Sequence, residues 1–204
     1  MLAGLLGAIL LAAEPPSVPA DVPGAEGEPV HVERRLLLKQ GHVFATGGLG
    51  YLSRGDYYSN PSLFASGTWY PGEMGGVELK LALFLSSLGP AGTEVFERTG
   101  LLPDAHRPVA LLAAGWRQSL GYGKVLVGTS GLVHFDVQAT AHLALLFTDR
   151  GVSPSPMLGP GLLLRFTPRV HAQLDLPLVV SIEQRSRGPL SLGTLPTLTV
   201  GVVL

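Results

Sequence analysis

Hydrophobic and polar residues alternate with a period of two along most of the chain. From Val170, residues Val170, Ala172, Leu174, Leu176, Leu178, Val180 and Ile182 share one face, and His171, Gln173, Asp175, Pro177 and Ser181 share the other. The stretch from His134 repeats this, with Phe135, Val137, Ala139, Ala141, Leu143, Leu145 and Phe147 opposite His134, Asp136, Gln138, Thr140 and His142. Val77, Leu79, Leu81, Leu83 and Leu85 oppose Glu78, Lys80, Ala82 and Ser86. The C-terminal run sets Leu198, Val200, Val202 and Leu204 against Thr197, Thr199 and Gly201. Successive side chains of a strand point to opposite sides, so each stretch predicts a strand with one apolar and one polar face. Weaker versions near 41–52, 62–70, 109–118 and 157–166 bring the number of predicted strands to eight.

The links between them alternate in length. SRGDYYSNP is longer, PGEMG is short, SLGPAGTEVFERTGLLPDAHRP is very long, DRGVSPSP is longer, TPR is tight and QRSRGPLSLGTLP is long. Short turns at one end and long loops at the other predict an all-β, eight-stranded antiparallel up-and-down transmembrane β-barrel with its N-terminus in the periplasm. The Gly-containing link around GYGK interrupts this pattern. The KVLVGTSGLV stretch after it is either a low extension of strand five or a short periplasmic excursion. Within the long link, TEVFERTGLL (93–102) has the spacing of a short amphipathic helix, read as a solvated lid or a docking element.

Composition favours lipid on the apolar face. Charged residues are 14% and hydrophobic residues 46% of the chain, against roughly 25% charged in soluble domains. Yet no apolar run reaches the roughly 18–20 residues of a spanning helix. By strand parity, Trp69, Trp116, Phe135 and Phe166 fall at the periplasmic ends of the apolar face and Tyr51 and Phe147 at the outer ends, as in an aromatic girdle. Glu78, Lys80, Arg117, Asp136, Arg165 and Asp175, with His134 and His171, form the opposite polar set. Its charges balance, which suits a narrow lumen where buried ions must pair.

Residues 1–13 are a short apolar run followed by a Pro-rich stretch, read as a signal peptide and cleavage zone over 1–20. Residues 21–39 read as a polar periplasmic tether and 40–204 as the barrel. The absence of cysteine excludes a disulfide framework, cysteine metal sites and an N-terminal lipid anchor on Cys. A net charge of −1 implies no nucleic-acid partner.

Tyr122-Gly123-Lys124, then His134-Phe135-Asp136-Val137, the glycine-bearing MLGPGLLLRF at 157–166 and the final TLTVGVVL carry a resemblance. The chain resembles the small outer-membrane β-barrel domain proteins that occur as many paralogues in myxobacteria and related delta-proteobacteria. The resemblance covers roughly residues 40–204 and implies a bacterial outer-membrane location and this fold, with no settled molecular activity. Such barrels usually end in an aromatic residue, whereas this chain ends in Leu204.

Candidate chemistry is sparse. ATGGLGYLS at 45–53 has three glycines but lies on a predicted strand with no helix after it, so it is not a phosphate loop. His134 with Asp136, and His171 with Asp175, share a strand face and read as hydrogen-bonded interior pairs; a metal site would need further converging donors. A lipid-modifying hydrolase would need His, Ser and an acid at the outer rim, and His106 stands in an outer loop without a Ser fixed to it by any motif. A porin is excluded by size, because eight strands leave a bore that side chains fill. The expectation is therefore a non-enzymatic envelope protein without cofactor. Outer-membrane lipid is its expected partner, and other envelope proteins could dock on loop 88–108 or the tether. The alternatives are an outer-membrane lipid-modifying hydrolase and a soluble periplasmic lipophile-binding barrel.

Overall fold

Each alternating segment forms a strand of one antiparallel sheet that closes on itself. The computed structural model describes residues 38–204 apart from 56, 128–130 and 184–187. The signal segment 1–20 and nearly all of the tether lie outside the described residues.

The eight strands are β1 (Val43–Tyr51), β2 (Pro61–Trp69), β3 (Gly75–Phe84), β4 (Pro108–Val127), β5 (Gly131–Thr148), β6 (Gly151–Pro154 and Met157–Arg165), β7 (Val170–Asp175 and Leu178–Ile182) and β8 (Leu190–Thr194 and Thr197–Val203). Each pairs with the next in sequence, and β8 closes on β1, Phe44 opposite Val203 and Gly50 opposite Thr197. The glycines of ATGGLGYLS sit in this ladder as strand residues.

The register also fixes the shear. From Thr46 it runs through Ser66, Lys80, Ala113, Ala144, Ser155 and Ser181 to Ser191 on β8. Thr46 pairs directly with Gly201, ten residues further along β8. Eight strands with this offset tilt by about 35–45° and enclose a bore that side chains fill. Prolines interrupt β6, β7 and β8 without changing the register. For example, His142↔Met157 and Leu145↔Pro154 follow one pairing on either side of Pro156.

Two links differ from expectation. DRGVSPSP is mostly strand, because Thr148 already pairs with Gly151 and the turn is Asp149-Arg150. GYGK is no turn at all. Strands β4 and β5 run on together, from Tyr122↔Asp136 to Val127↔Gly131, past the ends of β3 at Gly75 and of β6 at Arg165. The extension therefore belongs to both strands. A bulge between Ser119 and Gly121 lets Leu120 out of the ladder and shifts the parity of β4 by one. Tyr122 and Lys124 thereby join the face of Asp136 and His134.

In the long loop, helix α1 spans Pro90–Thr99, three residues earlier than the spacing suggested. Proline suits its first turn, where an N–H has no helical partner. Gly100 ends it at φ 68°, a left-handed cap that glycine adopts without penalty. A short pairing of Tyr58–Ser59 with Ser87–Leu88 ties this loop to the first one.

The outer surface is a band of aliphatic side chains. Leu143 is 79% exposed and Leu198 59%, while alternate residues of the same strands are buried. The interior is layered. Phe44, Tyr70 and Leu163 pack at the end that carries the C-terminus. Near the loop end lies an apolar layer that includes Leu52, Phe64, Phe84, Leu111, Leu146 and Val179. The sequence reading treated the interior as polar throughout; it is polar between these two layers. The luminal Gly115 is required by closeness, since a Cβ there would strike the Ala141 carbonyl of β5.

Candidate functional site in the barrel lumen

Inward parity brings Glu78 and Lys80 of β3, Arg117 of β4 and Asp175 of β7 to one level of the bore. Arg117 is fully buried and bridges two carboxylates. Its Nη2 donates to Glu78 Oε2 at 2.9 Å and to Asp175 Oδ2 at 2.7 Å, and its Nε donates to Glu78 Oε2 at 3.1 Å. Lys80 Nζ lies 2.8 Å from Asp175 and 3.5 Å from Glu78. Two acids and two bases thus form a neutral quartet.

Neutral side chains complete its shell. Arg117 Nη1 donates to Gln138 at 2.7 Å, Gln173 donates to Asp175 at 3.0 Å, and His142 Nε2 lies 2.9 Å from Glu78. Such density is a physical requirement, because buried ions lose hydration and stay charged only when paired and hydrogen-bonded. The quartet closes the bore. All four charged groups of the quartet are engaged by one another, and in its shell the Nδ1 of His142 has no hydrogen-bond partner among the described residues.

A second unit lies nearer the C-terminal end. Asp136 Oδ2 accepts from Gln138 at 2.5 Å, from Ser119 at 2.9 Å and from Lys39 Nζ at 2.6 Å. Lys39 is 3% exposed and its ammonium sits 5.3 Å from the Tyr70 ring centroid. The carboxylate of Glu73 accepts the backbone N–H groups of Lys39 and Gln40 at 3.2 and 3.1 Å, pinning the chain where it enters the barrel mouth. The sequence reading placed Lys39 in the tether; its side chain is luminal.

Three members of the expected polar set stand apart. His171 is buried against the Phe44 ring, and neither ring nitrogen has a hydrogen-bond partner among the described residues. It does not pair with Asp175. His134 stacks on Tyr122, with ring centroids 5.9 Å apart, rather than bonding Asp136. Arg165 donates to the backbone carbonyls of Thr167 and Pro168, closing its own turn. The expected His–Asp pairs do not form: Asp136 is taken up by Lys39, Ser119 and Gln138, and Asp175 by Arg117, Lys80 and Gln173, while the two imidazoles pack on the rings of Tyr122 and Phe44.

The loop end holds a further buried ion pair, Arg54 with Glu183, in which Arg54 Nη2 also donates to the His106 carbonyl at 2.6 Å. Neither residue was singled out from sequence. Both keep the inward parity of β1 and β7 beyond the strand ends, which is the signal that could have found them. His106 and Ser153 line a cavity here together with Glu183, but Glu183 is engaged by Arg54 and His106 Nδ1 has no hydrogen-bond partner among the described residues. Among the described residues these side chains do not assemble an acid–His–Ser relay. No group of three or more metal-ligating side chains occurs among the described residues.

On the outside, Trp69, Trp116 and Phe166 are exposed at the C-terminal end of the barrel, and Tyr51 and Phe147 at the loop end. Phe135 is half-buried because its ring lies across Gly123. Trp116 similarly covers Gly75 and donates its indole N–H to Gln118 at 3.0 Å.

No family model matches the chain, and no curated protein matches it. Among solved structures it is similar to the Neisserial surface protein A, at 11% identity and a TM-score of 0.41, over 80% of this chain and 95% of that one. It is also similar to Ail, the attachment invasion locus protein of Yersinia pestis, at 10% identity and a TM-score of 0.35, over 81% of this chain and 99% of that one.

Proposed function

We propose that this chain is an integral protein of a bacterial outer membrane whose barrel serves a structural or interaction role, neither enzyme nor pore. The observation that carries this reading is the inversion of the barrel. Paired ions and their hydrogen-bonding neighbours fill the inside between two apolar layers, and aliphatic side chains cover the outside. A water-soluble barrel binding a lipophile needs the opposite arrangement. Exposed apolar patches beyond a few hundred Å² are rare on soluble monomers, and here the apolar band encircles the sheet. In a bilayer the same surface is matched to its solvent, and barrel closure pairs every strand on both sides and leaves no free sheet edge.

The termini then face the periplasm and the long loops face outward. With the bore filled, interaction falls to the surface. Membrane lipid covers the band. Loop 88–108, where Phe96, Leu101 and Leu102 are exposed, and the N-terminal tether are the elements available to other envelope proteins. Fractionation tests the reading. The mature protein sediments with outer membranes, resists carbonate extraction and migrates differently on gels before and after heating. Recovery in the soluble periplasm would refute it.

A further inference from the structure

Three prolines of β6 point at the same neighbour. Ser155 N–H donates to Ala144 of β5 at 2.7 Å. Because strand N–H groups alternate between neighbours, residues 154, 156 and 160 must turn their nitrogens toward β7, and all three are proline. Pro156 and Pro160 still accept from Val180 and Leu176, each at 3.0 Å, but return no bond. By the same argument Pro177 and Pro189 face each other's strands, two missing donors at the β7–β8 seam, and Pro196 faces β1, one missing donor there. The ladder between β6 and β7 ends at Met157↔Val179, whereas that between β6 and β5 continues to Gly151. The β6–β7 seam thus lacks three backbone donors, and at its loop end the strands are joined by the Val180 N–H to Pro156 and by the Ser155 and Ser181 hydroxyls, 2.9 Å apart.

A cavity of about 570 Å³ lies at that point. Its lining is amphipathic. Val152 and Ile182, 54% and 48% exposed, belong to the apolar band, while His106, Ser153, Glu183 and Arg150, the last ion-paired with Asp104 at 3.0 Å, are polar. His106 is 7% exposed and its Nδ1 has no hydrogen-bond partner among the described residues. Burying such an atom unbonded is costly, which points to a ligand that completes it.

We propose that this cavity is a lateral binding site for one phospholipid. It enters from the bilayer through the β6–β7 seam, sets its phosphate head group against His106 and Arg150, and lays an acyl chain along Val152 and Ile182. A membrane lipid is the occupant because one wall of the cavity continues the lipid-facing band and the other is polar, at the height where a bilayer changes from tails to head groups. The inference rests on the membrane reading above.

The chain has no cysteine, so single cysteines report access cleanly. Ser153 and Ser191 are both buried, the first at the β6–β7 seam and the second on β8. In vesicles, a maleimide carried on a phospholipid head group labels Ser153→Cys faster than Ser191→Cys. The double variant Pro154→Thr/Pro156→Thr, which restores two donors toward β7, slows that labelling. Native mass spectrometry of wild type extracted from phosphatidylglycerol vesicles shows one retained lipid. Ser153→Trp, which fills the cavity, or the exposed Arg150→Glu should weaken retention on the order of tenfold, as expected for loss of a charge-assisted contact. Equal labelling of the two cysteines, or retention unchanged in both variants, would overturn the proposal. So would full displacement by soluble glycerol phosphate, which would make this an anion site without a lipid route. Heat-modifiable migration, measured on every variant, separates failure of this site from failure of the membrane reading.

Discussion

Removing Arg117 and Glu78 together should cost less than the sum of the losses from removing each alone. Arg117→Leu leaves Glu78 and Asp175 to share Lys80, an uncompensated negative charge where Glu78 and Arg117 are fully buried. Glu78→Leu leaves Arg117 and Lys80 on Asp175, an uncompensated positive charge. Each single change should destabilise the barrel by about 3–5 kcal/mol, the usual consequence of breaking a buried pair from one side. The double variant keeps the 2.8 Å pair of Lys80 with Asp175, which is neutral. Its loss should therefore fall short of the summed singles by about 2–3 kcal/mol, the upper range of coupling between contacting residues. Urea unfolding from phospholipid vesicles measures all four proteins, with the two tryptophans, Trp69 and Trp116, reporting departure from the bilayer. Additive losses would refute the quartet as a unit of charge balance.

Leu176→Arg places a guanidinium in the outward band midway along β7 and should cost roughly 2–4 kcal/mol in the same assay; an unchanged midpoint would invert the inside–outside assignment. Asp136→Leu strands the buried ammonium of Lys39 and should cost about 3–5 kcal/mol, largely relieved by adding Lys39→Met. In planar bilayers the protein should show no stepwise conductance above leak, and deleting loop 88–108 should open none, because the bore is closed by Arg117, Glu78 and the apolar layer around Leu111 and Leu146. Discrete channels after loop removal would make the loop a plug.

The strands and their inward and outward faces were legible in the sequence because parity is a local property. Leu143 and His142 differ in environment by adjacency alone. Height within the barrel was not legible, because it depends on the shear of the whole sheet. Lys39 and Asp136 are 97 residues apart, and Arg54 and Glu183 are 129 apart, so only closure of the barrel makes them neighbours. The same reasoning explains why His171, correctly placed on the polar face, meets Phe44 and not an acid. The extension of β4 and β5 was obscured by the glycines of GYGK, which read as a turn but serve a bulged strand where Phe135 covers Gly123.

Contact between the outer face and lipid tails is the claim on which the rest depends. Trp69 and Trp116 are 51% and 43% exposed on that face near one end of the barrel. In vesicles of phospholipids brominated along the acyl chain, their fluorescence should be quenched strongly, and more by bromine close to the head group than by bromine at the bilayer centre. Aqueous iodide should quench them little. Strong quenching by iodide with none by brominated lipid would place the apolar band in water and contradict the account.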